Sequence, residues 1–234
     1  MLLIVALLIV ALQARPGPPD VLPAAATSKL AASLKAAAAH KKHIWRDTPP
    51  FGLSGRSSPA EAEELVRGFI EIPRGGRQKF ELDMAKNAPA VDRILSEKIG
   101  GYPINYGIVP QTVSYDGDPF DILVLGPPIA TGQFVTGVVV GLMRMEDETG
   151  LDSKVVVSRV GADGKPLHQL TAADRKRVAD FFNRYKRDDA DPKTFATVPG
   201  WGTAAEGLAF VRMTHAFFQD CAPRAGAACH VMRN

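Results

Sequence analysis

Apolar residues run together or alternate with polar ones in short segments up to Ser158, and this pattern predicts a series of β-strands. The longest segment, Phe134 to Met145, is β-branched and apolar, as is typical of a buried strand. It ends in the charged turn 146–150, after which the chain returns as Val155-Val156-Val157. Shorter apolar runs predict further strands at 69–73, 79–82, 91–94 and 122–125.

After Ser158 the apolar residues recur at the spacing of α-helices. Thr171 is a candidate N-cap with the acid Asp174 in the first turn, and Thr203 with Glu206 matches a capping box. The second helix is predicted to end near residue 219. The inward positions predicted for the two helices are Val178, Phe181, Phe182, Tyr185, Leu208, Val211 and Phe218. Strands followed by helices indicate an α+β fold.

The stretch Asp116-Gly117-Asp118-Pro119-Phe120-Asp121 places three carboxylates directly before an apolar strand. Clustered carboxylates repel one another and are costly to desolvate, and the hard cations Mg²⁺ and Ca²⁺ compensate that charge with oxygen ligands. An EF-hand is excluded, because Asp121 stands where its sixth position needs Gly and Pro127 where its twelfth needs Glu. For this stretch alone, an acidic surface turn is the alternative.

Charged residues also recur inside the other predicted strands, which favours a polar cavity over a solvated face. Glu71 stands within an apolar run, and Lys79 shares one face of an alternating strand with Glu81. Asp152 and Lys154 share one face of the returning strand. Further charged positions of this set are Asp92, Arg93 and Asp147.

The charged stretches occur in a fixed order along the chain: Ile70 to Pro73, Lys79 to Glu81, Val91 to Arg93, Tyr102 to Gly107, Asp116 to Asp121, Asp147 with Asp152 and Lys154, and Phe181 to Lys186. In this order they resemble the soluble, Mg²⁺-dependent inorganic pyrophosphatases of family I. The resemblance covers roughly Glu64 to Phe218. It implies an α+β fold in which two C-terminal helices pack on a small, closed, OB-like β-barrel.

The resemblance implies hydrolysis of inorganic pyrophosphate to two orthophosphates by a water that metal ions activate. The implied cofactor is Mg²⁺, about three to four ions per active site, with Mn²⁺ as an alternative. Two other functions stay open, namely a metal-dependent phosphohydrolase of an organic diphosphate and a non-catalytic barrel that binds phosphate or divalent ions. The presence of Asp118 together with Lys79 argues against pure binding, which needs no base beside the metals.

The resemblance also implies a role for each site residue. The metal ligands are Glu71, Asp116, Asp121, Asp147 and Asp152. The catalytic residues are Asp118 as general base, with Tyr106, Lys79 and Arg93. The substrate-binding residues are Lys79, Arg93, Tyr106, Lys154, Tyr185 and Lys186, and Glu81 and Tyr102 are supporting residues. Acidic groups for cations and basic groups for phosphate are what phosphoryl transfer requires of a site.

The N-terminus predicts export. Met1 to Leu12 is wholly apolar but short for a membrane span, so residues 1–14 are interpreted as a signal peptide or anchor. Residues 15–60, rich in Ala and Pro, predict a tether or loosely docked arm, and His40-Lys41-Lys42-His43 within them indicates a solvated charged run. The expected destination is the periplasm. The alternative is a cytoplasmic protein with a mis-assigned start.

The remaining composition adds a few expectations. The catalytic domain is predicted at 61–220, followed by a tail at 221–234 in which Cys221 and Cys229 would form a disulfide in an oxidising compartment. A net charge of +3 without a basic block predicts no nucleic-acid partner. No membrane span is expected after cleavage. The resemblance favours a homo-oligomer, and a hexamer in particular.

Overall fold

The structure, a computed structural model, describes residues 21–53, 64–187 and 193–224. The helices of these residues are α1 (Ala24–Ala37), α2 (Ala172–Phe182) and α3 (Ala204–Cys221), with a short 3₁₀-helix at Ala222–Arg224. The strands are β1 (Phe51–Leu53), β2 (Glu64–Ile72), β3 (Gln78–Asp83), β4 (Ala88–Ile94), β5 (Asn105–Ile108), β6 (Asp121–Val124), β7 (Phe134–Asp147), β8 (Gly150–Leu151), β9 (Lys154–Ser158) and β10 (Ala196–Gly202).

Five of the described strands close into a barrel. β2 pairs with β5, β5 with β6, β6 with β9, β9 with β7, and β7 pairs back with β2. The β6–β9 pair is parallel and the other four pairs are antiparallel. β1 extends this sheet beside β2, β10 extends it beside β7, and β3 and β4 form a separate hairpin. The predicted α+β fold with a small closed barrel is therefore confirmed.

Strands β5 and β9 are buried along their whole length, and β6 is buried except at Asp121. Ile122 of β6 and Val155 of β9 pack in one apolar cluster with Val211 of α3. The next residues along the same strands, Leu123 and Val156, pack in a second cluster with residues of α2. Successive side chains of a strand point to opposite faces, so β6 and β9 each pack with α3 on one face and with α2 on the other.

The two predicted C-terminal helices begin where the sequence indicates. Thr171 caps α2 and Thr203 caps α3, each in a capping box with the acidic residue three positions later. Their predicted inward residues are buried, except that Leu208 is half-buried. Strand β10 between the helices was not predicted, because Pro199 and two glycines argue against a strand. It tolerates them because it pairs only with β7, with a register shift between Thr197 and Gly200.

The N-terminal segment, residues 21–53, is docked rather than loose, so the prediction of a loosely docked arm is wrong for these residues. On α1, Ala26 is 1% exposed and Leu30 is fully buried. Trp45 is also fully buried: its indole N–H donates to the carbonyl of Thr112 at 2.9 Å, and its ring packs edge-on against Phe218 at 5.2 Å. Small alanines supply much of the buried helix face, which explains why its pattern gave a weak signal in the sequence.

Some predictions concern residues outside the described part. Residues 1–20 are not described, so the interpretation of residues 1–14 stays a prediction. Cys221 is buried at the end of α3, but Cys229 lies outside the described residues and the disulfide stays a prediction as well. Within the residues described, the structure has no helix whose length and apolar character would let it cross a membrane.

Candidate active site

A polar cavity of about 310 Å³ lies between the barrel, the β3–β4 hairpin and the end of α2. The structure brings almost all of the predicted site residues together on its walls: Glu71, Lys79, Glu81, Arg93, Tyr102, Tyr106, Asp116, Asp118, Asp121, Asp147, Asp152, Tyr185 and Lys186. They come from strands that neighbour one another in the barrel, from the hairpin and from the chain after α2. The prediction of a polar cavity instead of a solvated face is confirmed.

The loop before β6 is held in one conformation by its own hydrogen bonds. The backbone N–H of Asp118 donates to Oδ1 of Asp116 at 2.9 Å, and its carbonyl accepts from the N–H of Ser114 at 2.7 Å. Gly117 between them has a φ of 87°, a left-handed conformation that glycine adopts without strain. Burial, together with the charge of Asp116, raises the pKa of the Asp118 carboxyl to about 6.

Lys154 lies beneath the cavity and not on its walls, in contrast to the predicted substrate-binding role. It is 1% exposed, and its ammonium donates to Asp121 at 2.5 Å and to Asp152 at 2.8 Å. Burial alone would lower its pKa, but these two carboxylates outweigh that effect and raise it. The carboxylates around this position, Glu71, Asp116, Asp121 and Asp152, form the acidic wall of the cavity. Because Lys154 is buried and bound to two of them, we assign it to charge compensation within this wall.

Glu71 is the most deeply buried acid of the cavity, with 2% exposure. One of its carboxylate oxygens accepts from the backbone N–H of Leu82 at 2.6 Å, which joins β2 to the hairpin. Burial, reinforced by the charge of Asp121, raises its pKa well above the usual range. Burial likewise raises the pKa values of Asp116 and Asp152. Burial therefore favours the protonated forms of these carboxyls unless a positive charge lies beside them.

This acidic wall fits a divalent cation by the chemistry of its donors. Its carboxylate oxygens are the ligands that hard cations prefer, and a bound cation would offset the burial and the mutual repulsion that raise their pKa values. In the described residues, no group of three or more His, Cys, Asp or Glu side chains already converges on one metal position. The ammonium of Lys154 stands between Asp121 and Asp152, and that of Lys186 beside Asp147. The donors are present, but lysines engage several of them.

Basic groups also line the cavity, each beside a carboxylate. Lys79 donates to Glu81 at 2.5 Å and pairs with Asp92 at 3.0 Å. Lys186 donates to Asp147 at 2.8 Å and to Glu148 at 2.6 Å. These cations thus face the cavity with carboxylates as their present partners.

Aromatic residues lie beside the basic groups of the cavity. The guanidinium carbon of Arg93 lies 5.6 Å from the ring centre of Tyr185, at a distance suited to a cation–π contact. Burial raises the pKa values of Tyr102, Tyr106 and Tyr185, so these phenols keep their protons at neutral pH. A protonated phenol can donate a hydrogen bond to an anionic oxygen.

Sequence reasoning missed several residues of the site. Glu148 and Thr194 line the cavity, and Glu148 also accepts from the backbone N–H of Phe195 at 3.2 Å. Glu148 was visible only as one acid of a charged turn, and Thr194 carried no signal. Lys29 of α1 was missed as well, although its ammonium lies 2.5 Å from Oδ2 of Asp118. Nothing in its local sequence separates Lys29 from an ordinary exposed helical lysine.

Comparisons with known proteins point to one family. A family model described as inorganic pyrophosphatase matches residues 68–219. The chain is 38% identical to an inorganic pyrophosphatase of Xanthomonas axonopodis pv. citri over 164 residues. This alignment covers 67% of this chain and 90% of that relative. It is 36% identical to an inorganic pyrophosphatase of Saccharolobus solfataricus over 159 residues, an alignment that covers 65% of this chain and 88% of that relative. The crystal structure of inorganic pyrophosphatase from Thermus thermophilus is similar with a TM-score of 0.63 and 32% identity, over 75% of this chain and 98% of that one.

Proposed function

We infer, because this chain belongs to the inorganic pyrophosphatase family, that it hydrolyses inorganic pyrophosphate to two orthophosphates. The observation that carries this inference is the cavity that is lined both by carboxylates and by lysines and an arginine. Pyrophosphate is a small, highly charged anion that needs both kinds of group, since it reacts as a complex with metal ions. A cavity of about 310 Å³ is at the lower end of ligand-binding sites, which suits a ligand of this size.

The cofactor we propose is Mg²⁺, at about three to four ions per site, with Mn²⁺ as an alternative. The residues that would hold it are Glu71, Asp116, Asp121, Asp147 and Asp152. Bound divalent ions would neutralise charge on the phosphate oxygens and lower the pKa of a bound water. Asp147 would become available as a ligand if Lys186 exchanged that carboxylate for a phosphate oxygen, which would link metal binding to substrate binding.

Asp118 is proposed as the general base. It lies on the cavity wall, half-buried, and its pKa of about 6 leaves most of its population ionised at neutral pH. A carboxylate with a pKa near the working pH both accepts a proton readily and returns it to solvent after the reaction. The fixed backbone of its loop keeps the carboxylate within reach of the cavity.

The basic groups of the cavity are proposed to bind the phosphate groups. Lys79, Arg93 and Lys186 supply positive charge, and the protonated phenols of Tyr106 and Tyr185 supply hydrogen-bond donors. Each lysine has a carboxylate partner in the structure, so substrate oxygens replace partners that are already in place. Such preorganised charge stabilises the oxygens on which negative charge builds up in the transition state.

Phosphate release by the purified full-length chain tests this function. The assay compares pyrophosphate with ATP and with ADP as an organic diphosphate, each with Mg²⁺ and with a chelator. We expect rapid release from pyrophosphate that requires Mg²⁺ and little release from the two nucleotides. Release from ADP at a comparable rate would instead favour an organic diphosphate as the substrate. Metal binding without release from any of the three would favour the non-catalytic binding function.

Three proposals about the whole chain rest on sequence features. We propose that residues 1–14 direct export to the periplasm before the catalytic domain, residues 61–220, folds, and that Cys221 and Cys229 pair there. We also propose that the enzyme assembles as a homo-oligomer, with a hexamer as the favoured state. Mass spectrometry of the intact, secreted chain measures the mature N-terminus and the disulfide, and light scattering measures the assembly. A full-length, reduced monomer would contradict all three.

A further inference from the structure

The N-terminal segment reaches the active site at Lys29. This residue lies on α1, ahead of residue 68 where the family match begins, so it is an addition to the matched region. Its ammonium contacts Oδ2 of Asp118 at 2.5 Å. The carboxylates of Asp116 and Glu81 lie close enough to raise the pKa of Lys29 further, in addition to its bond with Asp118 and against the opposing effect of burial. Lys29 therefore lies near three carboxylates that line the cavity.

The contact is built by backbone packing and is more than two flexible side chains that meet in solvent. Ala26 and Leu30, on either side of Lys29 along the helix, are buried and fix the position of α1. The loop that carries Asp118 touches α1 directly: a Cβ placed on Gly117 would lie 2.6 Å from the carbonyl oxygen of Ala26 and 2.9 Å from Cβ of Lys29. The absence of a side chain at Gly117 is what allows the helix to approach the loop this closely.

The same segment also contacts the turn of the β3–β4 hairpin. Nε2 of His40 lies 2.7 Å from the carbonyl of Ala85, and Nε2 of His43 lies 3.1 Å from the carbonyl of Met84. Both carbonyls belong to the turn of the β3–β4 hairpin, whose first strand carries Lys79. The prediction of a solvated run at residues 40–43 is thus wrong for His43, which is 1% exposed. The N-terminal segment is therefore attached to the hairpin as well as to the loop that carries Asp118.

Stability is not the main effect expected of this ion pair. The side chains of Lys29 and Asp118 are 50% and 44% exposed, and ion pairs with such exposure contribute about 0–1 kcal/mol to folding. The effect expected of the pair is geometric, because a carboxylate held by one oxygen keeps its other oxygen in a defined direction. A general base must lie within hydrogen-bond reach of the water that it deprotonates, and small displacements lower the rate steeply.

We propose that Lys29 is a positioning residue for the reaction, which holds Oδ2 of Asp118 so that Oδ1 is directed to the attacking water. This proposal rests on the proposed function, in which Asp118 is the base. It makes the N-terminal segment a working part of the active site, although the segment lies outside the family match. Lys29 touches neither substrate nor metal in this proposal and acts only through Asp118.

Steady-state kinetics with Mg²⁺ and pyrophosphate test the proposal in the full-length chain. The variants are Lys29→Met, which removes the charge, and Lys29→Arg, which keeps a donor at the same place. The matched control is Lys35→Met on the same helix, at an exposed position. We expect Lys29→Met to lower kcat by about 5- to 20-fold with KM changed less than about twofold. Lys29→Arg should recover at least about half of the activity, and Lys35→Met should match the wild type.

Several results would overturn the proposal while leaving the function intact. With an active wild type, an unchanged kcat in Lys29→Met would show that Asp118 needs no such support. A higher kcat would show that the contact restrains the base, and a higher KM at unchanged kcat would show a role in substrate binding. Equal losses in Lys29→Met and Lys29→Arg would indicate a structural role only. An inactive wild type would instead contradict the proposed function itself. Should thermal melting show Lys29→Met unfolded, Lys29→Gln serves in its place.

Discussion

The barrel and the N-terminal segment both reach the cavity, but they combine folding and chemistry in different ways. In the barrel, chemical groups are embedded in the core: Glu71 is buried between Ile70 and Ile72, and Lys154 is buried beneath its carboxylate partners. In the segment, α1 docks with one face and presents Lys29 at the edge of that face, where the lysine stays half-exposed. The comparison teaches that a docked helix can add a charged group to an active site while the core of the barrel stays as it is.

The largest effect that would break this comparison is a loss of docking. Trp45 is fully buried, so Trp45→Ala should destabilise the protein by about 3–5 kcal/mol, as much as a truncation in the barrel core. Ile122→Ala, at a fully buried barrel position, is the reference with about 2–5 kcal/mol, and Leu167→Ala, at a position 52% exposed, is the control with little change. Denaturant unfolding measures all three. A cost below about 1 kcal/mol for Trp45→Ala would mean that the segment is only loosely attached.

The next effect concerns the hairpin that the segment fastens. Lys79 is 18% exposed on the cavity side of β3, and Lys79→Met should lower kcat/KM for pyrophosphate by about 10²-fold through the loss of a preorganised positive charge. Lys86→Met is the matched control, because Lys86 lies at the turn of the same hairpin with 72% of its side chain exposed. Equal kinetics of the two variants would show that Lys79 serves only its ion pairs with Glu81 and Asp92.

A smaller expected effect is a pH dependence of stability that arises from the buried acids of the barrel and not from the docked segment. The pKa of Glu71 is raised in the folded state by burial, so its contribution to stability is complete below its unfolded pKa and is lost as the pH rises through the folded value. In chelator, Glu71→Gln should therefore melt above the wild type by a margin that grows as the pH rises above about 5. Calorimetry measures this margin. With Mg²⁺ present the margin should shrink, because a ligand is lost; a margin independent of pH would contradict the account.

The barrel could be predicted from the sequence because its signals are local and repeated. Strands with embedded charges, such as Glu71 and Lys79, and capped helices, as at Thr203, each carry their own pattern. These residues meet in the cavity because neighbouring strands of a closed barrel bring them there. The order of the charged stretches along the chain therefore already indicated one site.

The rest depends on contacts between distant residues, which no local pattern reveals. The docking of α1 uses alanines and a tryptophan that lies beyond the helix, and Lys29 meets Asp118 across 89 positions of the chain. β10 contains proline and glycine, and only its edge position beside β7 lets it pair. Lys154 was placed correctly beside Asp152 by strand alternation, but its depth beneath the cavity follows from the packing of the whole barrel.

The central claim is that this cavity hydrolyses pyrophosphate with Asp118 as the general base. The most direct test is the turnover of Asp118→Asn with Mg²⁺ at neutral pH, beside Asp180→Asn, which changes an exposed acid of α2. We predict that Asp118→Asn stays folded, binds pyrophosphate within a few-fold of the wild type and loses about 10²- to 10⁴-fold in kcat, with Asp180→Asn unchanged. Wild-type turnover in Asp118→Asn would contradict the claim, because proton transfer would then not depend on this carboxylate.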